Sequence, residues 1–420
     1  MKNIYRYFAL SFIFVSFGLT GAESPMPGSF PPKSVQERVR PILKDIRVAQ
    51  NKKAHQEVVN LSQQVVEVLG DWAANPNIEP NYYKSKDESK PNKAEIFELW
   101  RRIKKKLKKR ALWVKVPDGD PNKMTNNLRQ AGRPIIAFSH LFSFEPDASK
   151  QDLKFIVEGA DYLLRLQRKN GLFPSPDLRD DDPYYTTYNK RTLRKNKNAI
   201  VDGWFVDDYR GELQFDNAVS AIAMLRVYML TKDGRYLSSA KKAADWARNK
   251  NLDTNWAYNA FSVWLLSEYY QISGEQSYLD AAVEKVRLGV LPGQLQSGRW
   301  FDPVTSKLVY HGSIVRSLIS LYSQIDKETP FKKELRKSIN NAVDNAAEQI
   351  VANGASSTST STEMLVNALT KIGYNELWVR ALNINVNASL NYLTDKKAPW
   401  IGVFLSNYIV YQETLEVKKS

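Results

Sequence analysis

The feature of this 420-residue chain that most restricts its fold is an internal repeat. Residues 216–247 (DNAVSAIAMLRVYMLTKDGRYLSSAKKAADWA) align without a gap with residues 258–289 (YNAFSVWLLSEYYQISGEQSYLDAAVEKVRLG). Each copy has the apolar spacing of a helix, then a tight turn, then a second helix. Because one helical hairpin cannot bury its apolar face alone, the copies must stack against one another.

Further copies extend the pattern in both directions. GADYL at 159–163 matches AADWA at 243–247, and a later copy starts with YHGSIVRSLISLYSQ at 310–324. Alternating strand patterns are few, which argues against a sheet architecture. About six hairpins fit the chain, and the last helix (399–415) is expected to pair with one near the N-terminus. With no polar capping repeat evident, we predict an all-α fold that closes into an (α/α)6 toroid.

The N-terminal region divides the chain into three segments. Residues 1–22 have the pattern of a signal peptide, with basic Lys2 and Arg6 before an apolar run. We predict a helical extension over 23–126 and the toroid over 127–416. The sequence contains no cysteine, which excludes disulfides, thiol catalysis and cysteine metal sites. A periplasmic or secreted protein is therefore expected.

Net charge points to an anionic partner. The formal charge is +15, and much of the excess lies in RRIKKKLKKR at 101–110. One interpretation is a helix whose basic face is solvated and whose apolar stripe includes Ile103 and Leu107. The other is a weak contact with a membrane surface or a polyanion. No nucleic-acid motif accompanies the segment, so we expect no nucleic-acid partner.

The connections between predicted helices alternate between short and long. Turns within hairpins are short, whereas the links between hairpins (169–213, 250–257, 290–308 and 352–361) are longer and richer in aromatic residues. The two kinds of connection must lie on opposite rims of a ring. The rim of long loops is the expected functional face. Its longest loop contains more residues than a simple connection between two helices needs.

Polar residues that open the aligned helices should meet at this rim. They are the pairs Asp216-Asn217, Tyr258-Asn259 and Tyr310-His311. Aromatic faces suited to pyranose rings are expected from Trp204, Tyr209, Trp256 and Trp300. Arg210 and Arg316 are candidates for binding a uronate carboxylate. A polysaccharide or oligosaccharide substrate, anionic in character, follows from this set.

Two reaction types remain open for these residues. Hydrolysis of a glycosidic bond needs two carboxyl groups, for which Asp208 and Asp216 are the first candidates and Asp207 the next. A lyase instead needs a base, for which Tyr310 or His311 would serve. Structural roles compete with both, because Asp216 could cap its helix and the two asparagines could bind backbone between repeats. A protein that binds glycans without turnover is the third alternative.

The pattern DNAxxAxxxLxxYxxTxDxRYLxxAxxxADW at 216–246 resembles the six-hairpin, (α/α)6-toroid glycosidase-like proteins. This superfamily includes unsaturated glucuronyl hydrolases, sugar epimerases and helical-toroid polysaccharide lyases. The resemblance covers roughly 127–395 and implies the fold and a carbohydrate-active function. Glucuronyl hydrolases of this fold place carboxylates on two hairpins, whereas the second hairpin here offers Tyr258-Asn259 at the aligned position.

No cofactor is expected from the motifs. The acidic cluster DLRDDDP at 177–183 leaves calcium as an alternative, although its spacing matches no EF-hand loop. His140 lies on an apolar helix near the rim of short turns, where a structural role is predicted.

Overall fold

The computed structural model describes residues 31–74, 86–142, 150–178, 190, 192–208, 211–355, 358–392 and 405–412. The predicted signal peptide lies outside this range, as does most of the acidic cluster at 177–183. In the part that is described, no helix combines the length and apolarity needed to cross a bilayer.

The architecture is two concentric rings of helices. Five helices of the inner ring are α6 (Arg129–Leu141), α8 (Leu213–Thr231), α10 (Trp256–Ser273), α12 (Leu308–Tyr322) and α14 (Thr358–Lys371). Each is followed by an outer helix: α7 (Lys150–Leu166), α9 (Gly234–Asn249), α11 (Gln276–Gly289), α13 (Pro330–Asn353) and α15 (Glu376–Tyr392). Successive inner helices pack side by side, and each packs on its own outer helix.

Sequence composition separates the two rings. Inner helices such as α8 and α10 are apolar around most of their circumference and bury nearly every residue of their first three turns. Outer helix α9 buries one face only, through Tyr236, Ala240, Ala243 and Ala247. A helix that is apolar all round belongs inside, and an amphipathic helix covers it.

Helices from both ends of the chain lie beside the first of these hairpins. Helix α4 (Lys93–Arg110) contacts outer helix α15 on one side and pairs with Asp152 of α7 on the other. Helix α16 (405–412) lies beside the end of α6, where His140 Nδ1 is 3.3 Å from Ser406 Oγ. Helix α4 bridges the outer helices of the last and first of these hairpins, which closes the outer ring; the pairing of the last helix with an N-terminal one stays a prediction. Helix α4 is thus part of the toroid wall, although the sequence analysis places it in the extension.

Small residues let the inner helices approach closely. A Cβ atom added at Gly132 of α6 would lie 2.9 Å from the backbone oxygen of Val219 on α8. One added at Gly312 of α12 would lie 2.8 Å from the oxygen of Thr360 on α14. Both contacts are shorter than packed carbon and oxygen atoms allow, so these helix pairs need glycine.

The remaining N-terminal helices pack against the outside of the toroid. Helices α1 (Lys33–Asn51) and α2 (His55–Leu69) form a hairpin, followed by α3 (Asp71–Ala74). Helix α2 packs on α11 and on the 3-10 turn at Leu291–Gly293. Helix α5 (Leu112–Lys115) lies between α4 and α6. The N-terminal hairpin therefore sits beside the links that lead into α10 and α12.

The longest link carries a small antiparallel sheet. Strands β1 (Ser175–Pro176), β2 (Ile200–Val201) and β3 (Trp204–Phe205) pair in the order β1-β3-β2, with Trp204 opposite Pro176 and Val201. This sheet fixes the segment just before Asp207 and Asp208.

Candidate functional site

The inner helices begin at the rim that bears the long links, called here the long-loop rim. Asp216 occupies the fourth position of α8, and both of its carboxylate oxygens lie 3.2 Å from Nη1 of Arg129, in the first turn of α6. The N-cap position of α8 is Glu212, so Asp216 does not cap its helix. Its side chain has no exposed area. Asp216 thus joins two neighbouring inner helices at their starts.

Further charges surround this pair. Arg129 Nη2 lies 3.6 Å from Glu212 Oε1, and Arg316 Nη1 of α12 donates to Glu363 Oε2 of α14 at 3.1 Å. The set Arg129, Arg133, Arg316, Glu212, Asp216 and Glu363 is called here the axial charge cluster; each residue is buried. It spans four of the inner helices and the link before α8.

Burial has the largest effect on the pKa values of Arg133 and Asp216 in this cluster. Burial lowers the pKa of the Arg133 guanidinium well below its usual value, and nearby Arg129 adds to this effect. The charges of Asp216 and Glu363 oppose it. Burial also raises the pKa of the Asp216 carboxyl, against the influence of Arg129. The largest cause of both shifts is the loss of solvation, so the cluster is a poorly solvated site that disfavours an uncompensated charge of either sign.

Aromatic rings lie among these charges. The guanidinium carbon of Arg316 is 3.7 Å from the ring centroid of Trp264, and that of Arg129 is 4.5 Å from the centroid of Phe215. Phe215 and Phe261 stack with centroids 3.9 Å apart. Stacking on ring faces holds the planar guanidinium groups in fixed orientations.

Asp208 is held by the backbone in front of α8. Its Oδ1 accepts from the N–H of Gly211 and its Oδ2 from the N–H of Leu213, at 2.9 and 2.7 Å. Burial raises its pKa, while Lys250, 3.6 Å away, opposes the rise. Both oxygens are therefore engaged in shaping the start of the helix.

The pKa of Asp207 shifts in the opposite direction to that of Asp208. Its carboxylate accepts from Asn196 at 2.9 Å and lies 3.2 Å from Lys250 Nζ, and its side chain is 49% exposed. Burial would raise the pKa of Asp207, but the Asn196 hydrogen bond and the Lys250 charge outweigh it and lower the pKa. Adjacent carboxyls whose pKa values are driven apart are a common arrangement for acid and base roles.

The second residue of each polar pair points to the outer ring. Asn217 Nδ2 donates to the Ala243 oxygen at 3.0 Å, and Asn259 Nδ2 donates to the Gly289 oxygen at 2.7 Å. His311 Nε2 lies 2.8 Å from the oxygen of Ala342, which can only accept. Burial lowers the pKa of His311 well below its usual value, so the ring is neutral. All three side chains tie an inner helix to its outer helix.

The first residues of the other two pairs, Tyr258 and Tyr310, are also buried. Three of the predicted sugar platforms lie in the interior as well. Trp256 and Trp300 have 0% exposure and Trp204 has 6%. Trp300 donates from Nε1 to the Val290 oxygen at 2.9 Å. The faces of these rings are therefore covered by protein and are not accessible to a sugar. The other predicted contacts, Tyr209 and Arg210, lie outside the described residues.

A second charge layer, partly buried, occupies the other end of the axis. Arg226 donates to Glu268 Oε2 at 2.8 Å and from Nε to His140 Nε2 at 3.2 Å. Burial lowers the pKa of His140 to about 3, so it accepts as a neutral ring and takes the structural role predicted for it. Ser320 Oγ completes the layer, 3.4 Å from Glu268 Oε1.

Sequence reasoning missed Arg129, Arg133 and Glu363. The signal that could have found them is an isolated charge in an otherwise apolar helix, since Arg129 and Arg133 stand four residues apart in α6. Within the described residues, no group of three or more His, Asp or Glu side chains is arranged to hold a metal ion. The calcium alternative concerned residues mostly outside that range.

Comparison with known proteins finds the fold. No family model matches the chain, and no curated protein does. A mutant of the unsaturated glucuronyl hydrolase from Streptococcus agalactiae, complexed with dGlcA-GalNAc6S, is similar with a TM-score of 0.51 and 13% identity, over 80% of this chain and 98% of that chain. The hydrolase without a named mutation gives 0.50 and 12%, with the same coverage. A family 88 glycosyl hydrolase from Bacteroides vulgatus gives 0.49 and 12%, over 74% and 98%. The two structures of the Streptococcus agalactiae hydrolase therefore show that the chain has the six-hairpin toroid fold, as its repeat predicts.

Proposed function

We propose that the protein is a carbohydrate-active enzyme that hydrolyses a glycosidic bond in an anionic glycan at the long-loop rim. The observation that carries the proposal is the Asp216 carboxyl, buried with a raised pKa beside the guanidinium groups of Arg129 and Arg133. A carboxyl that keeps its proton closer to neutral pH suits a general acid. The guanidinium groups suit a uronate carboxylate or a sulfate.

Roles follow from the environment of each side chain. Asp216 donates a proton to the leaving glycosidic oxygen, and Arg316 with Arg133 binds the anionic group of the sugar. Asp207 is the carboxylate that stays ionised and reaches solvent, which suits activation of water. Asp208 positions the loop through its bonds to Gly211 and Leu213. The buried tryptophans belong to the scaffold of this proposed site.

Access to Asp216 requires a movement at the rim. Its side chain has 0% exposure, so a glycosidic oxygen reaches it only after neighbouring side chains or links shift. Opening and closing of loops over a site is a common step in enzyme turnover and also excludes water. Support for a glycan ligand comes from the Streptococcus agalactiae hydrolase of the same fold, whose mutant holds dGlcA-GalNAc6S.

An assay on defined glycans tests the proposal. The full chain is incubated with unsaturated uronyl disaccharides, with uronate polysaccharides and with a neutral polysaccharide such as dextran. Hydrolysis is expected to release reducing ends and, with the disaccharides, to remove the ultraviolet absorbance of the unsaturated ring. A rise in that absorbance from a polysaccharide would instead identify elimination, the lyase alternative. No change with any glycan would refute catalysis.

A glycan-binding protein without turnover is the second candidate, and the geometry of Asp208 favours it. Both oxygens of this carboxyl are occupied by backbone N–H groups, so the acid pair predicted from the sequence is not free to act. Titration with the same glycans would show binding that survives Asp216→Asn, with no product from the parent protein.

We also propose that residues 1–22 direct export, on their basic start and apolar run. Mass measurement of the protein recovered from the periplasmic or extracellular fraction is expected to show loss of about 22 residues.

A further inference from the structure

Three exposed basic side chains form a stripe along the outer surface of α4. Arg102, Lys105 and Lys109 are exposed and stand at positions i, i+3 and i+7, which places them on one face of the helix. With a rise of about 1.5 Å per residue, the stripe is about 10 Å long. Its length matches a contact with successive units of a linear polymer better than a contact with one small ion.

The structure distinguishes this stripe from the other basic residues of the segment. Lys104 and Lys108 turn inward, where their Nζ atoms lie 2.6 and 2.5 Å from the two carboxylate oxygens of Asp152. Both also lie within 6 Å of the Phe138 ring centroid, at 5.9 and 5.8 Å. Their charges serve to fix α4 to α7. Arg101 and Arg110 are exposed as well, but the stripe is the exposed set that shares one face of the helix.

The residues on the opposite face of α4 indicate which kind of polyanion the stripe would bind. Trp100, Ile103 and Leu107 are at most 5% exposed and belong to the protein core. Helices that bind a lipid surface insert such an apolar face between headgroups. In this protein the apolar face of α4 is packed in the core and cannot insert between headgroups. Binding through α4 therefore depends only on its exposed charges. A soluble, extended polyanion fits this face better than a membrane does.

We propose that the Arg102–Lys105–Lys109 stripe is a secondary binding site for an anionic polysaccharide chain, separate from the long-loop rim. The inference rests on the proposed function for its ligand class. Basic groups in a row bind a polyanion by releasing its counterions, so the affinity depends steeply on salt. A polymer held on α4 has its free ends kept at high local concentration near the rim.

Two triple variants with equal charge change test the site. Arg102→Gln/Lys105→Gln/Lys109→Gln removes the stripe. Lys333→Gln/Arg336→Gln/Lys337→Gln removes three exposed basic residues from outer helix α13 and leaves α4 intact. Binding of labelled chondroitin sulfate is measured by fluorescence anisotropy over a range of salt concentrations. We expect the stripe variant to bind about tenfold more weakly with a shallower salt dependence, and the α13 variant to match the parent.

Further measurements distinguish a failure of this inference from a failure of the proposed function. Turnover of a short disaccharide, if the parent shows it, should be unchanged in the stripe variant, because only the polymer reaches α4. Weakened polymer binding in the stripe variant supports the inference even if no glycan is cleaved. Equal loss in both triple variants would show that only net charge matters and would overturn it. Stripe-dependent binding to phosphatidylserine vesicles, without an effect on chondroitin sulfate, would assign the stripe to a membrane and also overturn it.

Discussion

Asn217, Asn259 and His311 occupy equivalent positions in three copies of the repeat, and all three donate a hydrogen bond to a carbonyl oxygen of the outer helix. The sequence shows that these polar residues open equivalent helices, but not where their side chains point. Gly289 ends α11, so its oxygen has no partner within that helix, whereas Ala243 and Ala342 lie inside their helices and accept a second hydrogen bond there. The same tie between helices is made by two different side chains, an amide and a neutral imidazole.

Comparison of the repeat copies also shows that the backbone conformation of Lys232 is energetically unfavourable. This residue ends α8 in the left-handed conformation (φ 58°), where the next copy has Gly274 (φ 67°) at the end of α10. Left-handed backbone is costly for residues with a Cβ atom. Lys232→Gly is expected to raise the free energy of unfolding by about 0.5–1 kcal/mol, measured by urea denaturation. Gly274→Ala is the matched change and should lower it by about 1 kcal/mol; equal effects of one sign would contradict this account.

Asp216 is the residue on which the proposed chemistry depends. Asp216→Asn keeps the shape of the side chain and can still accept from Arg129, but it cannot donate an acidic proton. If the parent hydrolyses a glycan, kcat is expected to fall by at least about a hundredfold while substrate binding is retained. Circular dichroism checks that the variant is folded. A fall of less than about threefold would remove Asp216 from the mechanism.

At the scale of elements, the N-terminal hairpin is attached to the toroid by polar contacts around the link into α10. Arg47 Nη2 of α1 lies 2.8 Å from Asp253 Oδ2, and Gln50 donates to the Leu288 oxygen at 3.0 Å. Lys53 pairs with Glu284 at 2.9 Å. Asp253 also accepts from the N–H of Asn255 in front of α10. One buried carboxyl therefore links the hairpin to the start of an inner helix.

This attachment should depend on pH through Asp253. Burial raises its pKa from 3.8 to about 6, although Arg47 opposes the rise. Because the folded state binds the proton more tightly than the unfolded state, its stability contribution is complete below about pH 4 and is lost as pH rises through about 6. The loss is on the order of 3 kcal/mol. Nearby Asp208 raises this pKa and Lys250 lowers it.

Urea unfolding at pH steps from about 4 to about 7 measures this dependence. Asp253→Asn should flatten the change in the free energy of unfolding relative to the parent over this range. Arg47→Met should move the titration to higher pH, since the opposing positive charge is gone. Identical pH profiles for parent and Asp253→Asn would rule out Asp253 as the titrating group.

At the scale of the whole molecule, the toroid axis holds two charge layers, one buried and one partly buried. Asp216 belongs to the layer at the long-loop rim, and Arg226 with Glu268 to the layer at the other end. Asp216 and Arg226 are ten residues apart on one helix, which is about 15 Å along the axis. Since each layer joins several inner helices, both stabilise the closed ring. At this separation they should act independently.

A double-mutant cycle tests that independence. Glu268→Gln leaves the partly buried Arg226 without its carboxylate and is expected to cost about 2 kcal/mol of unfolding free energy. Combined with Asp216→Asn, the two changes should add within about 0.5 kcal/mol. Glycan turnover, if present, should respond only to the change at Asp216. Strong coupling in stability would show that the ring opens as one unit.

The fold could be predicted because its signal is repeated. Apolar periodicity, the aligned copies and the alternation of short and long links all depend on local sequence, and each copy supports the others. The site could be predicted only in part. Asp216 and Arg316, which belong to the axial charge cluster, are candidates from the sequence, whereas Arg129 and Glu363 come from the starts of α6 and α14, which carry little of the repeat pattern. A contact between residues 87 positions apart produces no pattern in the local sequence.

The sequence by itself determined the helical hairpins, their stacking into a closed ring and the rim on which the long links lie, because these follow from periodicity and the need to bury apolar faces. Only the tertiary structure decided which polar residues are free and which are structural. It buried Trp256 and Trp300, turned Asn217 and His311 toward the outer ring, and surrounded Asp216 with arginines from other helices. Side-chain direction and solvation depend on neighbours distant in the chain, which no single segment encodes.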